Sequence, residues 1–247
     1  MRRIDRAAPR RSVILLTAVA ALFALAGLAV AAAAPEAKAP ADPQLAAAIA
    51  RFDEAQAKIQ RISAHFEEVK TIALLKDPVV QSGEFYHTKP DKFLWEYTSP
   101  EPKLLMLNGK DIVAYYPTQK RAEEIHTRFS KRIVKYMGLG SVLKDLVNEY
   151  EISLLRENEI PGTDLIQLKP KTRTISKRLS EIRLWVDHQL NQPRQIEYRE
   201  ADGDSTLITF DKIQLNPEIS LSKYQIKLPN DVTVTSGLSG FFGGSSR

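Results

Sequence analysis

Hydrophobic and polar positions along this chain follow two rhythms. From Pro43, the apolar residues Leu45, Ile49, Phe52, Ile59 and Ile62 recur at threes, fours and sevens, with Arg51, Asp53, Lys58 and Arg61 between them. That spacing predicts an amphipathic helix entered at Asp42-Pro43. From Ser63 the rhythm changes to alternation, with Ala64 and Phe66 set against Glu67, Glu68 and Lys70. Residues 83–125 then break at Lys89-Pro90, Ser99-Pro100, Asn108-Gly109 and Tyr116-Pro117 into short runs dense in aromatic and aliphatic side chains. Such punctuation predicts a β-meander. Because strand side chains alternate, Phe93, Trp95 and Tyr97 share one face and Leu94 and Glu96 the other. Residues 104–107 and 112–116 are apolar on both faces, which predicts strands covered on one side and lining something on the other.

Residues 130–150 read as two short helical pieces broken at Met137-Gly138-Leu139-Gly140, with more apolar surface than solvent-facing turns need. A second antiparallel series follows in 152–155, 164–169, 181–186, 194–200 and 206–215, with turns at Pro161-Gly162, Asn191-Gln192-Pro193 and Asp202-Gly203-Asp204. The polar, basic segment 170–179 interrupts it as a loop or short helix. Residues 224–228 and 232–235 read as final short strands. The fold class expected is mainly β (α+β), a long antiparallel sheet that curls, with helices over its apolar face.

The first forty of the 247 residues change the picture of charge. Arg2, Arg3, Arg6, Arg10 and Arg11 precede an uncharged run from 12 to 34 that ends in small residues, the form of a secretory signal. The organisation expected is a signal peptide over 1–34, a flexible Ala/Pro-rich N-terminus over 35–43, one domain over 44–235 and a Gly-rich tail over 236–247. Removing those arginines with Asp5 lowers the formal net charge from +5 to about +1, so the calculated pI of 9.3 does not support nucleic-acid binding. Two basic segments remain, around Arg128, Lys131, Arg132 and Lys135 and around Lys169, Lys171, Arg173, Lys177 and Arg178, and both read as solvated faces. The chain has no cysteine, so no disulfide and no lipidated N-terminal cysteine is expected. A soluble periplasmic protein is the expectation.

Candidate chemistry is sparse. His65, His87, His126 and His188 sit apart in unrelated contexts, without the spacing of a metal site. No nucleophile elbow, phosphate-binding loop or dinucleotide fingerprint occurs. The acidic pairs Glu67-Glu68 and Glu123-Glu124 lie on strands, where neighbours point to opposite faces, and Asp202 and Asp204 belong to a turn composition. No enzyme, cofactor or metal is expected.

Taken together, the helix running into Ala64-His65-Phe66, the Gly83-Glu84-Phe85 run, Lys89-Pro90 with Phe93, Trp95 and Tyr97, Asn108-Gly109 with Tyr115-Tyr116-Pro117, and the late run from Ile208 to Pro217 followed by Tyr224 and Pro229 resemble the periplasmic outer-membrane lipoprotein carrier family (LolA-like proteins). The resemblance implies an unclosed antiparallel β-barrel with helices covering a hydrophobic concave face. It also implies a carrier that takes the acyl chains of lipoproteins from an inner-membrane lipoprotein-releasing ABC transporter complex to an outer-membrane lipoprotein acceptor. Carriage of free lipid, or a lipoprotein-sensing regulatory module of the same fold, are the alternatives. On this reading Phe93, Trp95, Tyr97, Leu105, Leu107, Val113 and Tyr115 line the lipid cavity, and Val142, Leu143, Leu146 and Val147 form a lid that fills it when empty. Lys89 stands where family members commonly carry an arginine associated with holding the lid shut, and is the candidate lid latch. Glu67 replaces a common glutamine. A monomer is expected.

Overall fold

Asp42 accepts a hydrogen bond from the Gln44 amide at 2.8 Å and Pro43 occupies the first turn, so helix α1 (Pro43–Lys58) starts where the sequence places a cap. Its buried stripe is Leu45, Ala48, Ile49, Phe52 and Gln56. The protein is described here from a computed structural model over residues 42–126 and 143–237. Val142, the basic segment around Arg128, the N-terminal 41 residues and most of the tail lie outside the described residues.

After α1 come β1 (Arg61–Thr71), β2 (Val79–Thr88), β3 (Lys92–Ser99), β4 (Lys103–Asn108), β5 (Asp111–Tyr116) and β6 (Arg121–His126). The Lys89-Pro90, Ser99-Pro100, Asn108-Gly109 and Tyr116-Pro117 breaks fall at the β2/β3, β3/β4, β4/β5 and β5/β6 junctions. Gly109 has φ +64°, a left-handed conformation open to glycine at no steric cost. The second series is β7 (Tyr150–Leu155), β8 (Thr163–Pro170), α2 (Arg173–Ser176), β9 (Leu179–Asp187), β10 (Pro193–Glu200) and β11 (Ser205–Leu215), closed by β12 (Thr233–Ser236).

Among the described residues, twelve strands form one sheet in the order β12-β6-β5-β4-β3-β2-β1-β11-β10-β9-β8-β7. The meander and the second series are joined by β1 against β11, and every pairing is antiparallel except β12 with β6. With β7 and β12 at opposite ends, the curled sheet stays open. The main core fills its inner face: the buried stripe of α1 shares one cluster there with Phe66, Phe85, Phe93 and Trp95 from the meander and Ile182, Leu184, Ile196 and Phe210 from the second series.

Residues 224–228, expected as a strand, are not one. The chain makes a 3-10 turn at Leu221–Tyr224 instead, because Tyr224 is drawn into a second apolar cluster on the outer face with Leu94, Met106 and Val113. Tyr224 is tied by hydrogen bonds, its hydroxyl to Thr88 Oγ1 at 2.9 Å and its carbonyl to Asn108 Nδ2 at 3.0 Å.

Candidate functional site

Strand register decides which side chains share the inner face. Phe93 pairs with Leu107 and Leu107 with Ile112; Trp95 pairs with Leu105 and Leu105 with Ala114. Phe93, Trp95, Tyr97, Leu105 and Leu107 are each 2% exposed or less and lie in the main core under α1. Their rings pack closely, Phe66 edge-on to Trp95 at 4.8 Å and to Tyr97 at 4.9 Å, with Phe85 4.7 Å from Trp95.

Val113 and Tyr115 do not join them. Val113 pairs with Met106 and Tyr115 with Leu104, which places both on the outer face, Val113 in the cluster beneath the C-terminal segment. The inward residues of β5 are Ile112, Ala114 and Tyr116. Since 112–116 is apolar on both faces, hydrophobicity carries no phase there, and only the cross-strand register reveals it.

Leu143 and Leu146 are buried in the main core, 1% and 6% exposed, and cover the inner face together with α1. Val147 is half-buried at the edge, and its carbonyl accepts from Lys171 Nζ at 2.7 Å. Asp53 on α1 fixes this turn. Its Oδ1 accepts from the Leu143 amide at 2.8 Å and its Oδ2 from the Lys144 amide at 3.3 Å. Burial raises the Asp53 pKa above the ordinary carboxylate value, while the two amide bonds oppose that rise. Lys89 reaches elsewhere: its ammonium donates to the Gln56 carbonyl at the end of α1. Thus Lys89 fastens the helix end, and Asp53 is the residue seen to hold Leu143. The sequence presents Asp53 only as a polar position of the helix, because its partners are backbone amides ninety residues away.

Polar groups punctuate the apolar wall at both ends. Near the end of α1, Gln56 Nε2 donates to Gln192 Oε1 at 2.9 Å, with both residues fully buried. His87 stacks on Phe93 at 4.1 Å, and burial, with Lys89 nearby, pushes its pKa down to about 3. At the opposite end, Glu68, Lys70, Gln81 and Lys103 face inward from β1, β2 and β4. Alternation predicts that one member of each acidic pair points inward; the buried members are Glu68 and Glu123, 2% and 1% exposed. Among the described residues no group of three or more metal-ligating side chains gathers, and no helix is long and apolar enough to cross a membrane.

The sequence model of a family described as "Outer membrane lipoprotein carrier protein LolA" matches residues 57–227. An outer-membrane lipoprotein carrier protein of Bordetella avium is 26% identical over 203 residues, covering 77% of this chain and 91% of its own. One of Chromobacterium violaceum is 26% identical over 200 residues, covering 80% and 91%. Among solved structures, a conserved protein of Thermus thermophilus shares the fold at a TM-score of 0.51 and 10% identity, over 78% of this chain and 99% of that one.

Proposed function

The chain belongs to the outer membrane lipoprotein carrier protein LolA family, and on that premise we propose that it carries the acyl chains of lipoproteins through the periplasm on the inner face of its curled sheet. The observation that carries this reading is the way that face is covered. Apolar side chains from both strand series converge on it, and among the described residues what lies over them is one helix and the Leu143–Leu146 turn. Among the described residues, separate side-chain bonds fasten this cover to the strands and loops around it, including Arg51 to Asp164, Gln56 to Gln192, Lys89 to the Gln56 carbonyl and Lys171 to the Val147 carbonyl, while Asp53 ties the helix to the turn. An acyl chain that displaces the cover exchanges one apolar neighbour for another.

Burying a chain of about sixteen carbons gains on the order of 12 kcal/mol over exposure to water, at ~0.8 kcal/mol per CH₂. Release into water would be too slow for transport. The cargo therefore passes directly, from an inner-membrane lipoprotein-releasing ABC transporter complex to this protein and on to an outer-membrane lipoprotein acceptor. Displacing the cover lowers net affinity, which allows onward transfer without an energy source in the periplasm. The role needs no covalent step; the protein acts as a chaperone and carrier, reached by export behind its signal sequence. Lining falls to Phe93, Trp95, Tyr97, Leu105 and Leu107, and the lid to Leu143 and Leu146.

Native mass spectrometry of the protein recovered gently from a periplasm tests this reading. An adduct with the mass of an acylated protein is the expected result. A free-lipid adduct alone would move the assignment to a lipid carrier, and no adduct with an intact fold would overturn it.

A further inference from the structure

Along β1 the inward positions run Ile62, Ala64, Phe66, Glu68 and Lys70, so the inner face changes from apolar to charged toward the β1–β2 turn. The neighbouring strands change with it: Glu68 lies across from Gln81, Lys70 across from Thr206, and Tyr97 across from Lys103. All six of these polar residues are at least nine-tenths buried. Most are tied to one another. The Tyr97 hydroxyl donates to Glu68 Oε2 at 3.1 Å, and the Lys103 ammonium donates to Gln81 Oε1 while lying 3.8 Å from the Tyr97 ring centroid.

Lys70 differs. It is 1% exposed, yet its Nζ has no hydrogen-bond partner among the described residues, and neither has Thr206 Oγ1 or Glu200 Oε1. Burial holds the Lys70 amine below its ordinary pKa, and Glu200, Asp204, Glu68 and Asp202 act in the opposite direction. A purely structural position would be served at least as well by an apolar residue of similar length, since exchanging a buried ion for a packed hydrophobic side chain is commonly neutral or stabilising. The spare capacity here is mainly that of a donor: ammonium N–H groups and a hydroxyl. Carboxylates outnumber cations here, with Glu68, Glu200, Asp202 and Asp204 set against Lys70 and Lys103. An anion would therefore meet an excess of carboxylates, whereas a neutral acceptor can take the Lys70 and Thr206 donors without that repulsion.

The geometry points to a subsite formed by Lys70 and Thr206 for the ester or amide carbonyl oxygens that join acyl chains to their head, so that the inner face reads the linkage as well as the chains. This rests on the carrier reading above and adds a chemical selectivity to it. An apolar wall followed along the same strands by a buried donor pair has the polarity profile of an acyl ester laid along the sheet.

Calorimetric titration of the exported protein with a neutral dioctanoylglycerol and with the dioctyl ether of the same length, which lacks both carbonyls, tests it. The ester is expected to bind about tenfold tighter, the effect of one hydrogen bond from a charged donor. Lys70→Met should bring that ratio close to one, Thr206→Val should reduce it by a few fold, and the exposed Lys110→Met should leave it intact. Lys70→Met removes a buried charge without opening a cavity, and Thr206→Val gives an independent readout should the first variant fold poorly. Equal affinities for ester and ether in the native protein would overturn the subsite while leaving lipid carriage standing. So would a ratio that survives both substitutions, or tighter binding of the phosphatidic acid of the same chains. Binding of none of these amphiphiles would overturn the carrier reading and the subsite together.

Discussion

The inner and outer faces of β3–β5 are similarly apolar and are covered in different ways. Over the outer face, the segment after β11 lays Ile219, Tyr224 and Ile226 on Leu94, Met106 and Val113. It is fastened along its length by the Tyr224 bonds, by Lys223 to Glu96 at 2.8 Å, and then by a strand ladder where β12 pairs with β6. Over the inner face, α1 and the Leu143–Leu146 turn bury a larger aromatic wall, yet among the described residues their polar ties are separate side-chain bonds, at Arg51, Gln56, Lys89 and Lys171, with Asp53 joining helix to turn. Apolar surface thus serves two ends. A cover zipped into the sheet by a ladder completes a core, while a cover pinned by separate side-chain bonds can yield to a ligand of similar polarity.

Breaking the inner wall should have the largest effect. Trp95→Ala removes a fully enclosed ring from the aromatic cluster and is expected to cost about 3–5 kcal/mol of stability, measured by urea unfolding, together with loss of acyl binding. On the outer face, Tyr224→Ala should cost about 2–4 kcal/mol by the same assay, yet leave the acyl affinity of the folded fraction within about twofold. A comparable loss of affinity would erase the distinction between the faces.

Acid sensitivity separates the two ends of the inner face. Because the folded pKa of His87 lies near 3, below its unfolded value of 6.5, the unfolded chain takes up a proton that the native protein does not. The contribution of neutral His87 is fully present above pH 6.5 and is lost as pH falls from 6.5 toward 3, by up to about 1.4 kcal/mol per pH unit. Chemical denaturation at pH 6.5, 5.5 and 4.5 should show this fall, and His87→Leu should flatten it relative to the native protein. A parallel decline in both proteins would show that His87 is not the group responsible.

Asp53→Asn tests the pin with the smallest expected effect. Weakening the two amide contacts should lower stability by about 1 kcal/mol and, by loosening the cover, raise acyl affinity by about fivefold in a fluorescent fatty-acid titration. Reduced affinity would mean that Asp53 shapes the bound state rather than the empty one.

Much of this architecture was legible from residue pattern. Asp42-Pro43 marked the helix start, and four Pro- or Gly-containing dipeptides marked the meander junctions, because these residues restrict or permit backbone conformations locally. The aromatic side of β3 was likewise readable, since Phe93, Trp95 and Tyr97 alternate with a charged residue at Glu96. Legibility ended where information is long-range. The phase of β5 depends on its register with Met106 and Leu105, the capture of Tyr224 depends on Thr88 and Asn108, and the Asp53 contact depends on where a distant turn returns to α1. Glu68 and Lys70 stand in phase with Phe66, so their inward direction was implicit in the alternation; that they remain buried followed only from the strands that close around them.

Leu105 and Met106 are neighbours in sequence and face opposite sides of the sheet, which makes them the most direct probe of the central claim. A photoreactive phenylalanine analogue at each position, irradiated during lipoprotein export, should crosslink to an acylated lipoprotein from position 105 and not from position 106. Equal crosslinking from both, or crosslinking from 106 alone, would contradict the assignment of the acyl chains to the inner face.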